Sequence, residues 1–490
     1  MNIAELLERS AQHFPERTAL VAGDRSWTYA QLDARTSTIA GGLQALGLAP
    51  GDRVGLHLPN VAEFPLAYYA AQKAGLVPIS LNVTYKADEI AYIVNDAGPA
   101  AVITADSVAG NLPSRDAMPS VRHVLDAKAL AALAGRPLRA VDCDREATAA
   151  ILYTSATTGR PKGVMLTHAN VVSNAYATVH HLRMTPDDRG LCALPLFHCF
   201  GQNFIMNALA TAGAELVLHE RFVPEPFIDA LPRHRITLLY GVPTMYILFL
   251  SVAQTLDVSS VRLCFSAAAM LPSDVERRWH DTYGHWIQQG YGLTECSPFA
   301  SYNHDVRFRA GSVGTPIENV EMKIVDLDGR EVPDGELGEI LIKGPNVMKG
   351  YFNNPAATAE TIRDGWLRSG DIGSRDADGY YYIVDRVKDM INVSGFKVFP
   401  REVEEVLFRH GAVKEVAVIG VPDAVRGEAV KAYVVLQEGA PVPPAELQAL
   451  CRQSIADYKV PESIEFISAL PKNPTGKILK KDLRQLTTAG

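Results

Sequence analysis

Hydrophobic and polar positions follow two different periods in the first part of the chain. Thr28 and Gln31 have the spacing of a helix capping box, and apolar residues then recur at helical spacing until Gly47, where we expect the helix to end. Strand and helix patterns alternate after that, at 54–58, 61–75, 77–81 and 101–104. Such alternation predicts helices packed on a largely parallel sheet.

The pattern changes near Asp326. Asp-Gly turns at 328–329 and 334–335 separate short alternating runs such as 339–343, which predicts antiparallel β structure. The last block begins near Lys388 and has helix and strand patterns of its own, at 402–410, 416–419, 432–436 and 445–456. The sequence therefore predicts an α/β fold. A large N-terminal domain, 1–387, would have helices on mostly parallel sheets and a β-rich subdomain, and a small α+β domain, 388–490, would follow.

Composition and charge narrow the class of protein. A chain of 490 residues suggests roughly three domain-sized units. The net charge of −8 argues against a nucleic-acid partner, which usually needs a basic surface. The N-terminus lacks the pattern of a secretory signal, and the longest apolar run, 238–250, is shorter than a membrane span of about 20 residues. We therefore expect no membrane span. The six cysteines have no metal-ligand spacing and fit a reduced cytoplasm, so we expect a cytoplasmic protein.

The strongest local signal is a loop rich in hydroxyl groups and small residues that follows the apolar segment 149–152. It reads Tyr153-Thr154-Ser155-Ala156-Thr157-Thr158-Gly159-Arg160-Pro161-Lys162-Gly163-Val164. Backbone N–H groups and side-chain donors in such a loop can converge on phosphate oxygens. A flexible turn is the plainer interpretation, but the Gly-x-Pro-Lys-Gly ending favours a nucleotide site.

A P-loop is the alternative phosphate motif, and the sequence does not contain it. The chain has one Gly-Lys pair, Gly476-Lys477. Pro471 stands where the first glycine of a P-loop would be, and Ile478 stands where its hydroxyl residue would be. A kinase or NTPase of that type is therefore disfavoured.

The loop at 153–164 closely resembles the signature of the adenylate-forming superfamily of acyl-CoA synthetases, peptide-synthetase adenylation domains and luciferases. Further motifs resemble this family in the expected order, at 195–201, 289–295, 365–371, 385–389, 394–397 and 474–477. The resemblance implies an enzyme that joins a carboxylic acid to AMP with release of pyrophosphate. It then passes the acyl group to a thiol, with ATP, Mg²⁺ and CoA as cofactors. Domain 1–387 would bind the nucleotide, and domain 388–490 would be mobile.

The resemblance also implies a role for each matching residue. Thr154 and Glu295 would hold Mg²⁺, which prefers oxygen ligands. Thr294 would donate a hydrogen bond to the α-phosphate, and Asp371 would accept both ribose hydroxyls. Tyr291 would stack on adenine, and Lys162 would lie by the pyrophosphate. The full set of implied cofactor-binding residues is Thr154, Ser155, Ala156, Thr157, Thr158, Gly159, Lys162, Ala268, Gln289, Gly290, Tyr291, Asp371, Arg386, Lys388 and Gly395.

Lys477 carries the largest implied share of the chemistry. A carboxylate that attacks the α-phosphorus builds negative charge, and a cation placed there stabilises the transition state. A solvated surface lysine is the plainer interpretation, but the flanking Pro-Thr-Gly-Lys-Ile-Leu-Lys resembles the family motif. The resemblance makes Lys388 the hinge about which the small domain rotates. Gly395 would line the tunnel for the thiol arm, where a side chain would obstruct it.

The acid site is less defined. The resemblance gives His198 the role of gate to the acyl site, and a buried core histidine is the alternative. No Asp lies between residues 195 and 218, which disfavours an amino-acid substrate. Apolar residues in nearby segments suggest an apolar acyl tail, and they are Phe200, Phe204, Met206, Tyr240 and Met245.

Ala156 departs from the family pattern, which usually has glycine there. If that position needs a positive φ or close approach to phosphate, the added methyl would cost about 1 to 2 kcal/mol and slow adenylation.

Three functions stay open. The leading one is an acyl-CoA synthetase for a fatty or aryl acid. A ligase that loads the phosphopantetheine of an acyl carrier protein is the alternative, followed by a non-catalytic nucleotide or acyl binder. The sequence also leaves a homodimer open.

Overall fold

The architecture is known from a computed structural model that describes residues 1–154, 160–252, 256–326, 328–423, 425–472 and 477–488. The helices within these ranges are α1 Ala4–His13, α2 Tyr29–Ala45, α3 Glu63–Lys73, α4 Ala87–Ala97, α5 Ala127–Ala132, α6 His168–His181, α7 Ala208–Ala212, α8 Pro224–Arg233, α9 Pro243–Ser251, α10 Ser273–Tyr283, α11 Pro355–Thr361, α12 Pro400–Phe408, α13 Pro444–Ser454 and α14 Lys480–Thr488. A π-helical segment, Phe200–Asn207, precedes α7.

The first fifteen strands are β1 Thr18–Ala22, β2 Arg25–Thr28, β3 Arg53–His57, β4 Val77–Ser80, β5 Ala101–Thr104, β6 His123–Leu125, β7 Thr148–Thr154, β8 Lys162–Thr167, β9 Arg189–Cys192, β10 Glu215–Leu218, β11 Leu238–Gly241, β12 Leu263–Ser266, β13 Ile287–Gly292, β14 Phe299–Tyr302 and β15 Thr315–Pro316. The others are β16 Glu321–Val325, β17 Gly338–Lys343, β18 Gly350–Tyr351, β19 Ile362–Arg363, β20 Trp366–Arg375, β21 Tyr381–Arg386, β22 Ile391–Val393, β23 Phe396–Val398, β24 Val413–Asp423, β25 Gly427–Leu436 and β26 Ser463–Phe466.

The predicted start of α2 is confirmed in atomic detail. The Thr28 hydroxyl accepts the Gln31 N–H at 3.2 Å, and the Gln31 side chain accepts the Thr28 N–H at 2.9 Å. These two bonds satisfy donors that a helix start leaves without partners. The helix ends at Ala45, and Gly47 follows with φ +80°, in the left-handed region that favours glycine.

Two large sheets form the N-terminal part, and both are mostly parallel, as predicted. One has the order β18-β8-β7-β4-β3-β5-β6, and its antiparallel pairs are β18–β8 and β8–β7. The other has the order β15-β14-β13-β12-β11-β9-β10-β1-β2 and is parallel from β13 through β1. One hydrophobic cluster, which extends from Ile3 to Tyr381, connects them.

The predicted β-rich region is also confirmed. Strands β16, β17, β20 and β19 form an antiparallel sheet in that order, with β21 paired to β20. The turns at 328–329 and 334–335 lie between β16 and β17, where Val325 is paired with Glu339.

The C-terminal part is a small α+β unit with its own core. Its sheet has the order β23-β22-β25-β24, with β26 parallel to β25. The main buried cluster extends from Ile391 to Cys451, and α12 packs against β21 of the preceding part. The domain boundary at residue 388 stays a prediction. No helix in the described ranges is long and apolar enough to cross a membrane.

Candidate active site

The carboxyl ends of three parallel strands form the edge on which the site is built. Strands β11, β12 and β13 run side by side, with Gly241 paired to Ser266 and Ser266 to Gln289. Sheets of this kind bind ligands at the carboxyl ends of their strands. The chain leaves β12 towards Ala268, and the end of β13 carries Gly290. Two segments that the sequence predicted for the nucleotide therefore lie at the carboxyl ends of neighbouring strands.

A cluster around Asp371 joins three of the predicted residues. Asp371 and Arg386 are paired across β20 and β21, and Arg386 Nε lies 3.1 Å from Asp371 Oδ1. The Tyr291 hydroxyl donates to Asp371 Oδ2 at 2.7 Å, and the Asp371 N–H donates to Ser369 Oγ at 3.0 Å. A carboxylate has about four lone-pair sites, so Asp371 can still accept hydroxyl donors such as those of a ribose.

Burial and charge set the protonation states in this cluster. Burial, and then the Asp371 charge, raises the pKa of Tyr291 well above its usual value, so its hydroxyl stays a donor. Burial alone would lower the pKa of Arg386, but Asp371 and further anionic neighbours outweigh it, and the pKa is raised. The Tyr291 phenol therefore stays neutral, and the Arg386 guanidinium stays charged.

Lys477 reaches this cluster from the C-terminal unit. Burial, and then the charges of Arg386 and Lys388, lower the pKa of Lys477 to about 8, while Asp371 and Asp389 act in the opposite direction. Its ammonium group is thus within electrostatic reach of the carboxylate and the guanidinium on β20 and β21. The structure brings together the lysine and the ribose-site residues that the sequence implied.

The segment predicted to bind phosphate starts on β7 and ends on β8. Thr154 is the last residue of β7 and is paired with Lys162, the first residue of β8. The predicted loop residues Ser155, Ala156, Thr157, Thr158 and Gly159 lie outside the described residues. The Lys162 Nζ lies 4.9 Å from the centre of the Tyr351 ring, and the Tyr351 hydroxyl donates to Glu295 Oε1 at 2.9 Å.

The residues proposed for Mg²⁺ have suitable chemistry. Thr154 offers a hydroxyl oxygen and Glu295 a carboxylate, which are the hard oxygen ligands that this cation prefers. Thr294 and Glu295 begin a short 3₁₀ turn, Thr294–Cys296, directly after β13. Burial, and then the Glu295 charge, raises the pKa of Tyr351, so its hydroxyl keeps its proton and donates a hydrogen bond to the carboxylate.

His198 lies two residues before Phe200, which begins the π-helical segment and belongs to an aromatic cluster. Its ring packs against Phe197 at 4.9 Å between centroids, and burial lowers its pKa to about 4, so the imidazole is neutral near pH 7. Among the described residues, its buried Nε2 has no hydrogen-bond partner. Phe204 packs on Phe265 at 4.5 Å, and Phe200 on Phe265 at 5.9 Å.

The remaining predicted residues have other local roles in this structure. The Gln289 amide donates to Glu276 Oε1 at 2.9 Å, which braces β13 against α10. Ala268 has φ +68°, an unfavourable conformation for alanine. A Cβ at Gly290 would lie 2.5 Å from Phe265 Cζ, so this position needs glycine to pack on the aromatic cluster. Gly395 lies in the exposed turn between β22 and β23 with φ +88°, and Lys388 lies in the 3₁₀ turn Val387–Asp389.

The motif comparison missed the role of Tyr351. Its contacts depend on the pairing of the two-residue strand β18 with β8, where Tyr351 is paired with Val164. A Gly-Tyr pair before a turn carries no local signal of a site. Ser369 lies within a recognised motif, but its bond to the Asp371 N–H could not be inferred from the motif alone.

Comparison with known proteins decides the family. Residues 7–352 match the AMP-binding enzyme family, and residues 402–477 match the AMP-binding enzyme C-terminal domain. The chain belongs to the AMP-binding enzyme family. This AMP-binding enzyme is 36% identical to the long-chain-fatty-acid–CoA ligase of Salmonella typhimurium, over 99% of its own length and 94% of the relative's.

Solved structures agree with this assignment. The AMP-binding enzyme is similar to the anthranilate CoA ligase AuaEII in complex with anthranoyl-AMP, with a TM-score of 0.95 and 31% identity over 100% of this chain and 98% of the other. It is also similar to ATP-bound MatB from Rhodopseudomonas palustris, with a TM-score of 0.92 and 34% identity over 99% of both chains. The AMP-binding enzyme is thus an acid–thiol ligase of the acyl-CoA synthetase type, and such enzymes use ATP, Mg²⁺ and CoA.

Proposed function

We propose that this AMP-binding enzyme activates an apolar carboxylic acid, fatty or aryl, as its acyl-adenylate and transfers the acyl group to CoA. The observation that carries the proposal is the meeting of Lys477 with Asp371 and Arg386, which come from widely separated parts of the chain. A cation from the C-terminal unit in that position can act on a nucleotide held by the larger part.

The residues divide the adenylation between them. Asp371 would hold the ribose, while Tyr291 and Arg386 fix the orientation of its carboxylate. Thr294 and Lys477 would face the α-phosphate and Lys162 the departing pyrophosphate. The acid's carboxylate forms a bond to the α-phosphorus as the bond to pyrophosphate breaks. Donors and cations fixed near these oxygens lower the barrier because they stabilise the charge that develops there.

The neutral and apolar side chains predicted for the acid site support an apolar substrate. His198 is neutral near pH 7, and the rings of Phe204 and Phe265 form an apolar pair. Cys143, Cys192, Cys199, Cys264, Cys296 and Cys451 are all free thiols, which supports a location in the cytoplasm.

A panel of acids tests the function directly. Fatty acids of graded chain length and several aryl acids are incubated with ATP and Mg²⁺, and pyrophosphate release is measured. The thiol acceptor is then supplied either as CoA or as the phosphopantetheine of a carrier protein. We expect acid-dependent pyrophosphate release and a thioester with CoA. A thioester only with the carrier protein would change the acceptor, and ATP binding without acid-dependent release would reject the function.

A further inference from the structure

Tyr351 is held firmly between the metal-binding and phosphate-binding ends of the site. Its strand, β18, is paired with β8, and the Phe352 N–H donates to the Gly163 carbonyl at 2.7 Å. The Tyr351 N–H donates to Thr358 Oγ1 at 2.9 Å. Its side chain is 7% exposed. The ring is therefore fixed by backbone bonds on both sides and by packing.

Glu295 and Lys162 contact two different parts of the Tyr351 side chain. The hydroxyl donates to Glu295 Oε1 at 2.9 Å. The Lys162 ammonium lies 4.9 Å from the ring centre, within the range of a cation–π contact. The Met348 N–H donates to the Glu295 carbonyl at 2.8 Å, so the segment that carries Tyr351 also holds the backbone of Glu295.

The contacts keep two opposite charges apart. In the part of the chain that the structure describes, Lys162 and Glu295 do not form an ion pair with each other, and each contacts Tyr351 instead. If Lys162 and Glu295 formed an ion pair, each charge would be compensated by the other and less available to a ligand. Tyr351 is neutral, and its hydroxyl contacts the Glu295 carboxylate while its ring contacts the Lys162 ammonium. Both charges therefore remain available to a ligand.

We propose that Tyr351 is a positioning residue that holds Glu295 and Lys162 in the separate places where they bind Mg²⁺ and the phosphates of ATP. The proposal rests on the proposed function, because it takes Glu295 as a metal ligand and Lys162 as a phosphate-binding lysine. Tyr351 acts through these two residues and touches neither reacting atom.

The hydroxyl is tested by Tyr351→Phe, which keeps the ring. Calorimetry measures the binding of a non-hydrolysable ATP analogue at increasing Mg²⁺ concentration. Groups that orient a metal ligand typically change metal affinity by about 10- to 100-fold when they are removed, and we expect about tenfold weaker binding of Mg²⁺ with the analogue. In a Glu295→Gln background, the same change should have little further effect, because residues that act through one contact are not additive.

The ring is tested by Tyr351→Leu. We expect a further several-fold loss of analogue affinity beyond that of Tyr351→Phe, since the contact with the Lys162 ammonium is then lost. This extra loss should vanish in a Lys162→Met background. Thermal unfolding of each variant without ligand shows that the compared proteins are folded.

Tyr380→Phe is the matched control. Tyr380 is 9% exposed, its hydroxyl donates to the Arg307 carbonyl at 2.7 Å, and Arg309 lies 4.6 Å from its ring centre. It has the same two kinds of contact outside the site, so its loss should lower stability without changing the Mg²⁺ dependence. The proposal is wrong if Tyr351→Phe behaves like Tyr380→Phe, or if its effect persists in full without Glu295.

The binding experiment uses neither an acid nor a thiol. If the protein binds the analogue with Mg²⁺ but none of the tested acids makes it release pyrophosphate from ATP, the proposed function is rejected and the result for Tyr351 still stands. An active wild-type enzyme with an unaffected Tyr351→Phe variant would reject the role of Tyr351 alone.

Discussion

Two lysines with lowered pKa values meet beside Asp371. Burial, and then the Arg386 charge, lowers the pKa of both Lys388 and Lys477 to about 8 from 10.5. A lysine with a lowered pKa loses its cation as the pH rises through that value. If protonated Lys477 stabilises the adenylation transition state, kcat/KM for pyrophosphate release should be constant below about pH 8 and fall above it. A pH profile from 6 to 10 measures this, since kcat/KM reports the free enzyme.

Two variants separate the lysines. Lys477→Arg keeps a cation at every accessible pH, so its profile should lose the alkaline fall even though its rate is lower. Lys388→Gln removes a neighbouring positive charge and should move the fall to higher pH, because the two sites titrate as a coupled pair. An unchanged fall in the Lys477→Arg variant would assign it to another group.

At the level of elements, Arg401 joins the small C-terminal unit to the larger part. It is the second residue of α12, its N–H donates to Asp385 Oδ2 at 3.0 Å, and its Nη1 donates to the Ile383 carbonyl at 2.9 Å. Glu405 fixes the guanidinium at 2.9 Å. These bonds hold α12 on β21 in the arrangement that brings Lys477 to Asp371. Arg401→Ala should therefore slow adenylation by about tenfold, the equivalent of about 1.4 kcal/mol.

The two half-reactions distinguish this effect from general damage. Thioester formation from supplied acyl-adenylate should be reduced much less than adenylation if the small unit rotates for that step. Arg409→Ala is the matched control, because Arg409 lies at the opposite end of the same helix and is exposed. Equal losses in both half-reactions would show that Arg401 serves folding only.

Local signals explain which elements the sequence could predict. The start of α2 depends on Thr28 and Gln31, three residues apart, and the end of α4 has Gly98 in the left-handed region. Such patterns depend on residues that are close in the sequence and can be recognised there. The order of strands is not, because β1 pairs with β10 and β8 with β18 through contacts between distant segments.

The candidate site divides in the same way. Motif positions predicted Asp371, Arg386 and Lys477, and the structure places them together. Tyr351 could not be predicted, because its neighbours are set by the sheet edge and not by its own motif. The π-helical turn at Phe200–Asn207 has no characteristic sequence period and was likewise not predicted.

At the scale of the whole molecule, one buried lysine ties together remote helices of the N-terminal part. The Lys73 side chain on α3 is 0% exposed, and its ammonium lies 3.0 Å from Glu8 on α1 and 2.6 Å from Asp33 on α2. Glu8 Oε1 also accepts the Ala140 N–H at 2.7 Å. These groups lie on α1, α2 and α3 and at Ala140, and not on the strands that carry the proposed site, so the network should act on stability and leave chemistry unchanged.

Lys73→Ala should destabilise the N-terminal part strongly. Removing one partner of a buried ion pair typically costs about 3–5 kcal/mol, since the remaining charges lose their compensation. Lys128→Ala, at an exposed position on α5, is the matched control and should have almost no effect. The measurement is the midpoint of heat inactivation together with kcat at 25 °C. We expect an inactivation midpoint several degrees lower for Lys73→Ala, with kcat unchanged in the fraction that remains folded. If both variants kept the wild-type midpoint, the network would contribute nothing to stability. If kcat fell without a lower midpoint, the network would act on the site.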